Sequence, residues 1–335
     1  MEIKFYNESE FEQQAKRTEQ LYKKLHEVYG RKKLQVERSE QIKNKLQCEL
    51  DTINKQISIQ PQQSLEDLQM SVGHHTAIGR RNSNEDSHVI TNKILVILDG
   101  HGGSETASIG ASMILQYVEY YETGNVITDL KLGILNLDHD LPDICSESGA
   151  TLAFIIKKNS KFYLCNAGDA RVLTQNNTTC DHKPTDPFEK DRIERYGGIV
   201  MNGRVNAQLA VSRAIGDKAM KIYGVCGLID IIEIDELSTD WILIACDGLF
   251  DVMDNEDVRE AIECLLQNIN TSTRRNSQIV IDFFYKKIDM TDIAKMSCNY
   301  KEQLQFEHTV AQAFVCAAYL LKSSDNISVI FAVKK

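Results

Sequence analysis

Three aspartates far apart in the chain lie at the ends of apolar runs. They are Asp99, in the motif Asp-Gly-His-Gly-Gly, Asp247, in Asp-Gly-Leu-Phe-Asp, and Asp325, in Asp-Asn. The adjoining runs, residues 94–98, 241–245 and 327–331, carry no charge, which predicts buried strands. Carboxylates at such positions lose hydration unless a positive partner lies among them. Mg²⁺ or Mn²⁺, which prefer oxygen ligands, are the simplest partners of this kind.

The residues around Asp99 suit metal-assisted chemistry. Gly100 lets the backbone approach an ion closely, so that its carbonyl can act as a ligand. His101 is placed to be a ligand or a proton donor. If the last strand runs antiparallel to the other two, Asp99, Asp247 and Asp325 converge. Two divalent ions bridged by one carboxylate would acidify a water and clamp the oxygens of a displacement at phosphorus.

Short predicted strands alternate with a few helices from about residue 72 onward. We predict strands over residues 148–157 and 162–175, the second turning as a tight hairpin that contains Asp169. We predict helices over residues 103–121, 190–196, 255–266 (with Asp254 as the N-cap) and 303–321. Residues 267–300 are polar and show no clear period. The pattern predicts one domain over residues 71–335.

Residues 1–70 have a different character. Apolar residues follow a 4-3 spacing from Phe11 to Ile57 among Lys, Glu and Gln, which predicts a coiled coil or a helical hairpin. The alternative is a single charged helix packed on the next domain. Residues 58–71, with Pro61 and several glutamines, are typical of a linker. Residues 11–57 are therefore a candidate surface for self-association or for a partner helix.

Composition narrows the class of protein. The formal net charge of −10 falls on residues 71–335, because residues 1–70 carry equal numbers of acidic and basic side chains. An acidic domain is a poor partner for nucleic acid, and we expect no nucleic-acid binding. The sequence has no apolar stretch long enough to span a membrane and no secretory pattern at its N-terminus. Nine cysteines without a CxxC pair favour a reduced cytoplasmic or nuclear compartment over a thiolate zinc site.

Taken in order, the motifs match a family. From about Val72 to Ala332 the chain resembles the metal-dependent protein serine/threonine phosphatases of the protein phosphatase 2C family. The matching motifs are RNSNED at residues 81–86, DGHGG at 99–103, SGAT at 148–151, NAGDAR at 166–171, DHKP at 181–184, GRVN through LAVSRAIGD at 203–217, DGLFD at 247–251 and DN at 325–326.

The resemblance implies a metal centre and a fold. Asp99 would bridge two Mn²⁺ or Mg²⁺ ions. Further direct ligands would be the Gly100 carbonyl, Asp247 and Asp325, while Glu85 and Asp86 would hold metal-bound waters. Asp169 and Asp251 match positions associated with a third, weaker ion. The implied α+β fold is a four-layer α/β/β/α sandwich of two mainly antiparallel sheets flanked by helices, preceded here by the helical extension.

The resemblance also implies a reaction. Arg81 would grip the substrate phosphate, which suits a bidentate guanidinium. His101 would protonate the leaving serine or threonine oxygen of a phosphoprotein substrate. Metal-bound hydroxide would be the nucleophile, with no phosphoenzyme. The segment after Asp217 departs from the family pattern, because residues 218–235 lack proline, and substrate choice is often set there.

Two other functions compete with this interpretation. Residues 165–171 fit the C-x5-R spacing of cysteine-dependent phosphatases, which need a low-pKa thiolate in a phosphate-binding loop. The chain could instead be a pseudophosphatase or scaffold that acts through its N-terminal coil. The acidic set is complete, which favours an enzyme.

Overall fold

Strands and a few helices make up the computed structural model, which describes residues 65–267, 279–280, 283 and 306–335. The strands are β1 (Met70–Ala77), β2 (Ser87–Ile90), β3 (Ile94–His101), β4 (Gly149–Lys158), β5 (Lys161–Ala167), β6 (Arg171–Thr174), β7 (Val200–Met201), β8 (Arg204–Val205), β9 (Ile215–Gly216), β10 (Asp230–Asp235), β11 (Trp241–Ala245) and β12 (Ile327–Lys334). The helices are α1 (Glu105–Val118), α2 (Val126–Asp140), α3 (Pro187–Arg195), α4 (Lys218–Lys221), α5 (Asp247–Phe250), α6 (Asn255–Gln267) and α7 (Phe306–Leu320).

Two antiparallel sheets contain most of the strands. Sheet I has the order β1-β12-β11-β6. Sheet II has the order β10-β5-β4-β3-β2, and β9 pairs with the first two residues of β4. Strand β12 runs antiparallel to β11, as expected, but β3 belongs to the other sheet. Asp99 therefore reaches the candidate site from sheet II, whereas Asp247 and Asp325 adjoin strands of sheet I.

The apolar runs are uninterrupted because both faces of these strands are covered. Leu95 and Ile97 of β3 share a buried cluster with Ile242 and Ile244 of β11, which packs sheet I against sheet II. The alternate residues of each strand face helices. Those of β3 contact the cluster containing α1 and α2, and those of β11 contact the cluster containing α6 and α7. The clusters thus form helix, sheet, sheet and helix layers.

One predicted turn is wrong. Residues 162–175 do not form a hairpin, because β5 lies in sheet II and β6 lies in sheet I. Gly168, with a φ of +103°, opens the short connection that carries the chain between the two sheets. Asp169 lies in this crossover, and its place at the end of the sandwich is what brings it towards Asp99.

The described part of the domain begins before the predicted boundary. Leu65, Leu68 and Met70 are buried in the core clusters, and the Glu66 amide donates a hydrogen bond to the Lys157 carbonyl at 3.1 Å. These residues, which the sequence analysis assigned to the linker, pack as part of the fold. The predicted coil over residues 11–57 and nearly all of the polar stretch at 267–300 lie outside the described residues. Among the described helices, none is long and apolar enough to cross a membrane.

A buried carboxylate joins helix α3 to the segment that leads into β9. Glu189 accepts hydrogen bonds from Arg213 Nη2 and Arg192 Nη1, both at 2.8 Å, and from Ser212 Oγ at 2.5 Å. Burial by itself raises the pKa of Glu189, but these three donors outweigh it and lower the pKa to about 2. Arg213 also bonds to Asp230, which connects the network to β10.

We expect Glu189→Gln to lower the free energy of unfolding by roughly 2–4 kcal/mol, because two arginines lose their shared buried carboxylate. Since the folded-state pKa is depressed, the contribution of Glu189 is complete above its ordinary pKa of 4.5 and is lost as the pH falls from 4.5 towards 2. Guanidinium titrations at pH 7 and pH 3 measure both effects. Glu194→Gln, at an exposed pair with Lys190, is the matched control and should change stability by less than about 0.5 kcal/mol. Equal losses for the two variants would contradict this account.

Candidate metal centre

Acidic side chains from both sheets meet at one end of the sandwich. One carboxylate oxygen from each of Asp99, Asp169 and Asp247 lies within 4.8 Å of the others. Asp86 and Asp99 form a second group of this kind with the thiol of Cys246. The pocket at this end is lined by residues that include Arg81, Glu85, Asp99, Gly100, His101, Asp169, Asp247, Asp251 and Asp325. The structure thus brings the predicted site residues to one region, with Asp86 bordering it through Asp99.

Two glycines allow the backbone segments to come this close. A Cβ on Gly100 would lie 2.2 Å from the carbonyl oxygen of Glu85, and a Cβ on Gly248 would lie 1.9 Å from that of Asn326. Any side chain at either position would push an acidic segment away from its neighbours. The glycines that follow Asp99 and Asp247 are therefore required by packing, whether or not their carbonyls bind an ion.

Asn326 holds the loop that carries Glu85. Its Nδ2 donates to the carbonyls of Ile78 and Ser83 at 2.9 and 2.8 Å, and its Oδ1 accepts from the Glu85 amide at 2.9 Å. The Glu85 carboxylate in turn accepts a hydrogen bond from the Gly103 amide at 3.2 Å. One side chain beside Asp325 thereby fixes the position of the acidic pair at 85–86.

The carboxylates destabilise one another in the absence of a cation. Burial first, then Asp247, Asp86 and further aspartates, raise the pKa of Asp99 well above its usual range. Burial, followed by Asp169, Asp251 and Asp325, raises the pKa of Asp247 to about 7. Such shifts mean that the ionised forms are strongly disfavoured.

Asp86 shows how the cluster fits a cation. Burial, reinforced by Asp325 and partly offset by a hydrogen bond from Ser328 Oγ at 2.6 Å, raises its pKa to about 6. Its other oxygen, Oδ1, is buried and has no hydrogen-bond partner among the described residues. An unpartnered buried carboxylate oxygen beside Asp99 suits a hard divalent ion such as Mg²⁺ or Mn²⁺. Cys246 is not a suitable ligand, because burial and the same aspartates raise the pKa of its thiol.

Two cationic side chains border the acidic groups. Lys183 Nζ contacts the Asp169 carboxylate directly, and Arg81 Nη2 bonds Asp325 Oδ2 at 2.5 Å. Burial raises the pKa of Asp251, and Lys183 opposes that effect. The third-ion positions, Asp169 and Asp251, thus already face an ammonium group. Arg81 is half exposed, so its guanidinium is accessible from solvent at the edge of the pocket.

The C-x5-R interpretation is wrong. Cys165 is fully buried in β5, where burial raises the pKa of its thiol well above the ordinary value. Arg171 lies in β6 of the other sheet and makes a bidentate pair with Asp181 at 2.6 and 2.8 Å. A protonated, inaccessible thiol and an arginine already committed to a carboxylate cannot form a phosphate-binding nucleophilic loop.

Some residues of the site were not singled out from the sequence. His101 Nε2 bonds Asp217 Oδ2 at 2.7 Å, although Asp217 had been considered only as the last residue of a motif. Ser328 orients Asp86, and Lys183 pairs with Asp169. A signal existed for Ser328, which is a polar residue inside an otherwise apolar strand. For Lys183 the only signal was its place in the DHKP motif.

The chain belongs to the protein phosphatase 2C family, since the sequence profile of Protein phosphatase 2C matches residues 61–287. The chain is 30% identical over 237 residues to Protein phosphatase 1B of Rattus norvegicus, covering 60% of this chain and 59% of that protein. It is 29% identical over 250 residues to Protein phosphatase 1A of Bos taurus, covering 65% of this chain and 64% of that protein. The chain therefore spans about half to two-thirds of the length of these curated relatives.

Solved structures support the fold. The structure of a C. elegans sex determining protein matches with a TM-score of 0.62 at 20% identity, over 79% of this chain and 65% of that one. A serine-threonine phosphatase 2C from Toxoplasma gondii matches with a TM-score of 0.56 at 19% identity, over 82% of this chain and 97% of that one. At these identities the likeness establishes a shared mixed helix and antiparallel-sheet fold.

We expect Asp247→Asn to stabilise the metal-free protein, because a neutral side chain of the same shape removes one of several repelling buried charges. The melting temperature in chelator should rise by about 2–6 °C. The same variant should lose most of the stabilisation that Mn²⁺ gives to the wild type. Asp240→Asn, at an exposed pair with Lys334, is the matched control and should leave both values unchanged. A lower melting temperature for Asp247→Asn in chelator would show that these carboxylates do not repel one another.

Proposed function

We propose that this chain is a metal-dependent protein serine/threonine phosphatase that hydrolyses phosphoserine and phosphothreonine in proteins. The proposal rests on one observation. Four aspartates lie in one region together with the guanidinium of Arg81; they are Asp86, Asp99, Asp169 and Asp247. Clustered carboxylates suit divalent cations, and an accessible guanidinium beside them suits a phosphate. Membership of the protein phosphatase 2C family supports the same reaction.

The oxygen atoms gathered in the acidic cluster indicate which residues would bind the ions. Asp99, between the two acidic groups, is the candidate bridge between two Mn²⁺ or Mg²⁺ ions, and the Gly100 carbonyl, Asp247 and Asp325 are the candidate terminal ligands. Glu85 and Asp86 would contribute through water, and Asp169 with Asp251 would bind a third ion only in competition with Lys183. When bound, the ions supply an acidified water at neutral pH and neutralise charge on the phosphoryl oxygens.

The protein's own groups then bind the substrate and move a proton. Arg81 binds the phosphate, since its guanidinium lies beside Asp325 at an accessible edge of the pocket. His101 gives a proton to the leaving serine or threonine oxygen, because an alkoxide is too basic to leave unprotonated. The oxygen of water becomes bonded to phosphorus as the ester bond breaks. No covalent enzyme intermediate is needed, and the buried Cys165 does not offer one.

A purely scaffolding role has no observation in its favour. None of the acidic positions that the family pattern requires is replaced in this chain. The N-terminal residues 11–57 are proposed as an additional coiled-coil surface, for self-association or a partner helix.

We expect the protein to release phosphate from phosphothreonine peptides only with Mn²⁺ or Mg²⁺, and to lose that activity in chelator. Asp99→Asn should reduce kcat by about 10²-fold or more, since it removes the candidate bridging ligand. Asp240→Asn and Cys165→Ser are the controls and should retain activity. Activity that survives complete metal removal would overturn the metal mechanism. A wild type that is inactive with both metals would favour the scaffold.

We expect removal of residues 1–58 to lower the oligomeric state seen in sedimentation, because the proposed coil is the apolar surface that pairs chains. The cut keeps Leu65, Leu68 and Met70, which are part of the folded core. The control is a full-length variant with Leu25 and Leu46 replaced by Gln, which should behave like the truncated chain. An unchanged oligomeric state in both would refute self-association through this segment.

A further inference from the structure

We propose that Asp217 is the positioning residue for His101, holding the imidazole so that Nδ1 faces the leaving oxygen. The inference rests on the proposed phosphatase function and adds a residue to it. His101 Nε2 and Asp217 Oδ2 are 2.7 Å apart, and Asp217 is 5% exposed. Because the carboxylate takes Nε2, the nitrogen left to act on a substrate is Nδ1.

Strand register places the two groups on either side of Gly149. In sheet II, β3 and β4 pair His101 with Gly149, and β4 and β9 pair Gly149 with Gly216, the residue before Asp217. A Cβ on Gly149 would lie 2.1 Å from Asp217 Oδ2 and 2.3 Å from His101 Nε2. The contact therefore exists only because the residue between the partners is a glycine.

The backbone at Asp217 is held in an uncommon conformation. Its φ of +47° lies in the left-handed region, which is costly for a residue with a side chain. Its amide donates to the carbonyl of Ser148, the residue before β4, at 2.9 Å, which ties the turn to the start of that strand. A turn held in this way aims the carboxylate at one place, the imidazole of His101.

A second, partly buried carboxylate, that of Asp138, holds the turn from the other side. Asp138 of α2 accepts a hydrogen bond from the Gly216 amide at 2.8 Å and another from Lys221 Nζ at 2.6 Å. Lys221 also donates to the Ala214 carbonyl at 2.7 Å. The residues before and after Asp217 are thus fixed to the same helix, so the turn cannot rotate away from His101.

The pair defines where the proton goes. His101 donates from its doubly protonated form, which arises when the neutral Nε2–H imidazole takes a second proton from solvent on Nδ1; Asp217 holds the Nε2–H, so the Nδ1–H is the one given to the substrate. As the ester P–O bond breaks, the Nδ1–H bond breaks and an O–H bond forms on the leaving serine or threonine. The imidazole is left in its neutral Nε2–H form, with Nε2 still bonded to Asp217. Asp217 therefore acts only through His101.

This role predicts a selective effect on substrates. A serine or threonine alkoxide needs the proton, whereas the phenolate released from p-nitrophenyl phosphate leaves without one. We expect Asp217→Asn to lower kcat on a phosphothreonine peptide by about 10–100-fold, with an effect on p-nitrophenyl phosphate of about threefold or less and little change in KM. Equal losses on the two substrates would overturn the proposal.

Controls separate positioning from general damage. Asparagine has the shape of aspartate and tolerates the left-handed region, so the variant should fold. Asp230→Asn removes another histidine contact, with His182 at 3.2 Å, and should change the two substrates by equal factors. In a double-mutant cycle, Asp217→Asn should have almost no further effect in a His101→Gln background. Additive losses would show that Asp217 acts independently of His101.

A spectroscopic test is independent of activity. In ¹⁵N-labelled full-length protein, the His101 imidazole, assigned by its loss in His101→Gln, should be the Nε2–H tautomer with a protected proton. Asp217→Asn should shift or abolish that signal. An inactive wild type would refute the proposed function, while this measurement would still decide whether Asp217 sets the tautomer. An Nδ1–H tautomer in the wild type, or a signal unchanged by Asp217→Asn, would overturn the inference.

Discussion

Several partly buried carboxylates at one end of the sandwich repel one another, and this repulsion is the constraint that the surrounding structure must resist. The pKa values of Asp86, Asp99 and Asp247 are all raised, first by burial and then by neighbouring aspartates. Loops alone would relax by moving the charges apart. Here Asp99 belongs to sheet II, whereas Asp247 follows a strand of sheet I, so their separation is set by the packing of the two sheets.

That packing is apolar and extensive, which is why it can hold the charges together. Leu95 and Ile97 lie against the cluster formed by Ile242 and Ile244, and all four are fully buried. The free energy from this core offsets the cost of the acidic end, and a divalent ion would remove much of that cost. A divalent ion would replace several repulsions between carboxylates with attractions. The repulsion that the fold maintains in the metal-free protein therefore increases the affinity for the ion.

The strand-end aspartates could be predicted from the sequence, because uninterrupted apolar runs mark the strands β3, β11 and β12 next to them. The hairpin predicted around Asp169 was wrong. A glycine-containing turn within an apolar stretch has the same sequence pattern whether the next strand pairs with the previous one or lies in another sheet. Helix α2 escaped prediction, although the Asn125 side chain caps it by accepting from the Thr128 amide at 3.0 Å. Propensity and spacing report local structure, whereas the choice between sheets depends on distant partners. The helical extension over residues 11–57 stays a prediction.

Asp217 shows most clearly what local patterns cannot reveal. Its partner lies 116 residues earlier in the chain, and the contact depends on the register of β3, β4 and β9 rather than on spacing. The same segment supports the region that flanks the pocket, because Arg213 pairs with Glu189 of α3 at 2.8 Å. Met220, just after Asp217, packs against the apolar cluster of that region and also lines the pocket. One stretch of backbone thus holds both the groups that would contact a substrate and the Asp217 carboxylate that orients His101. A substitution that moves one of these groups therefore also moves the other.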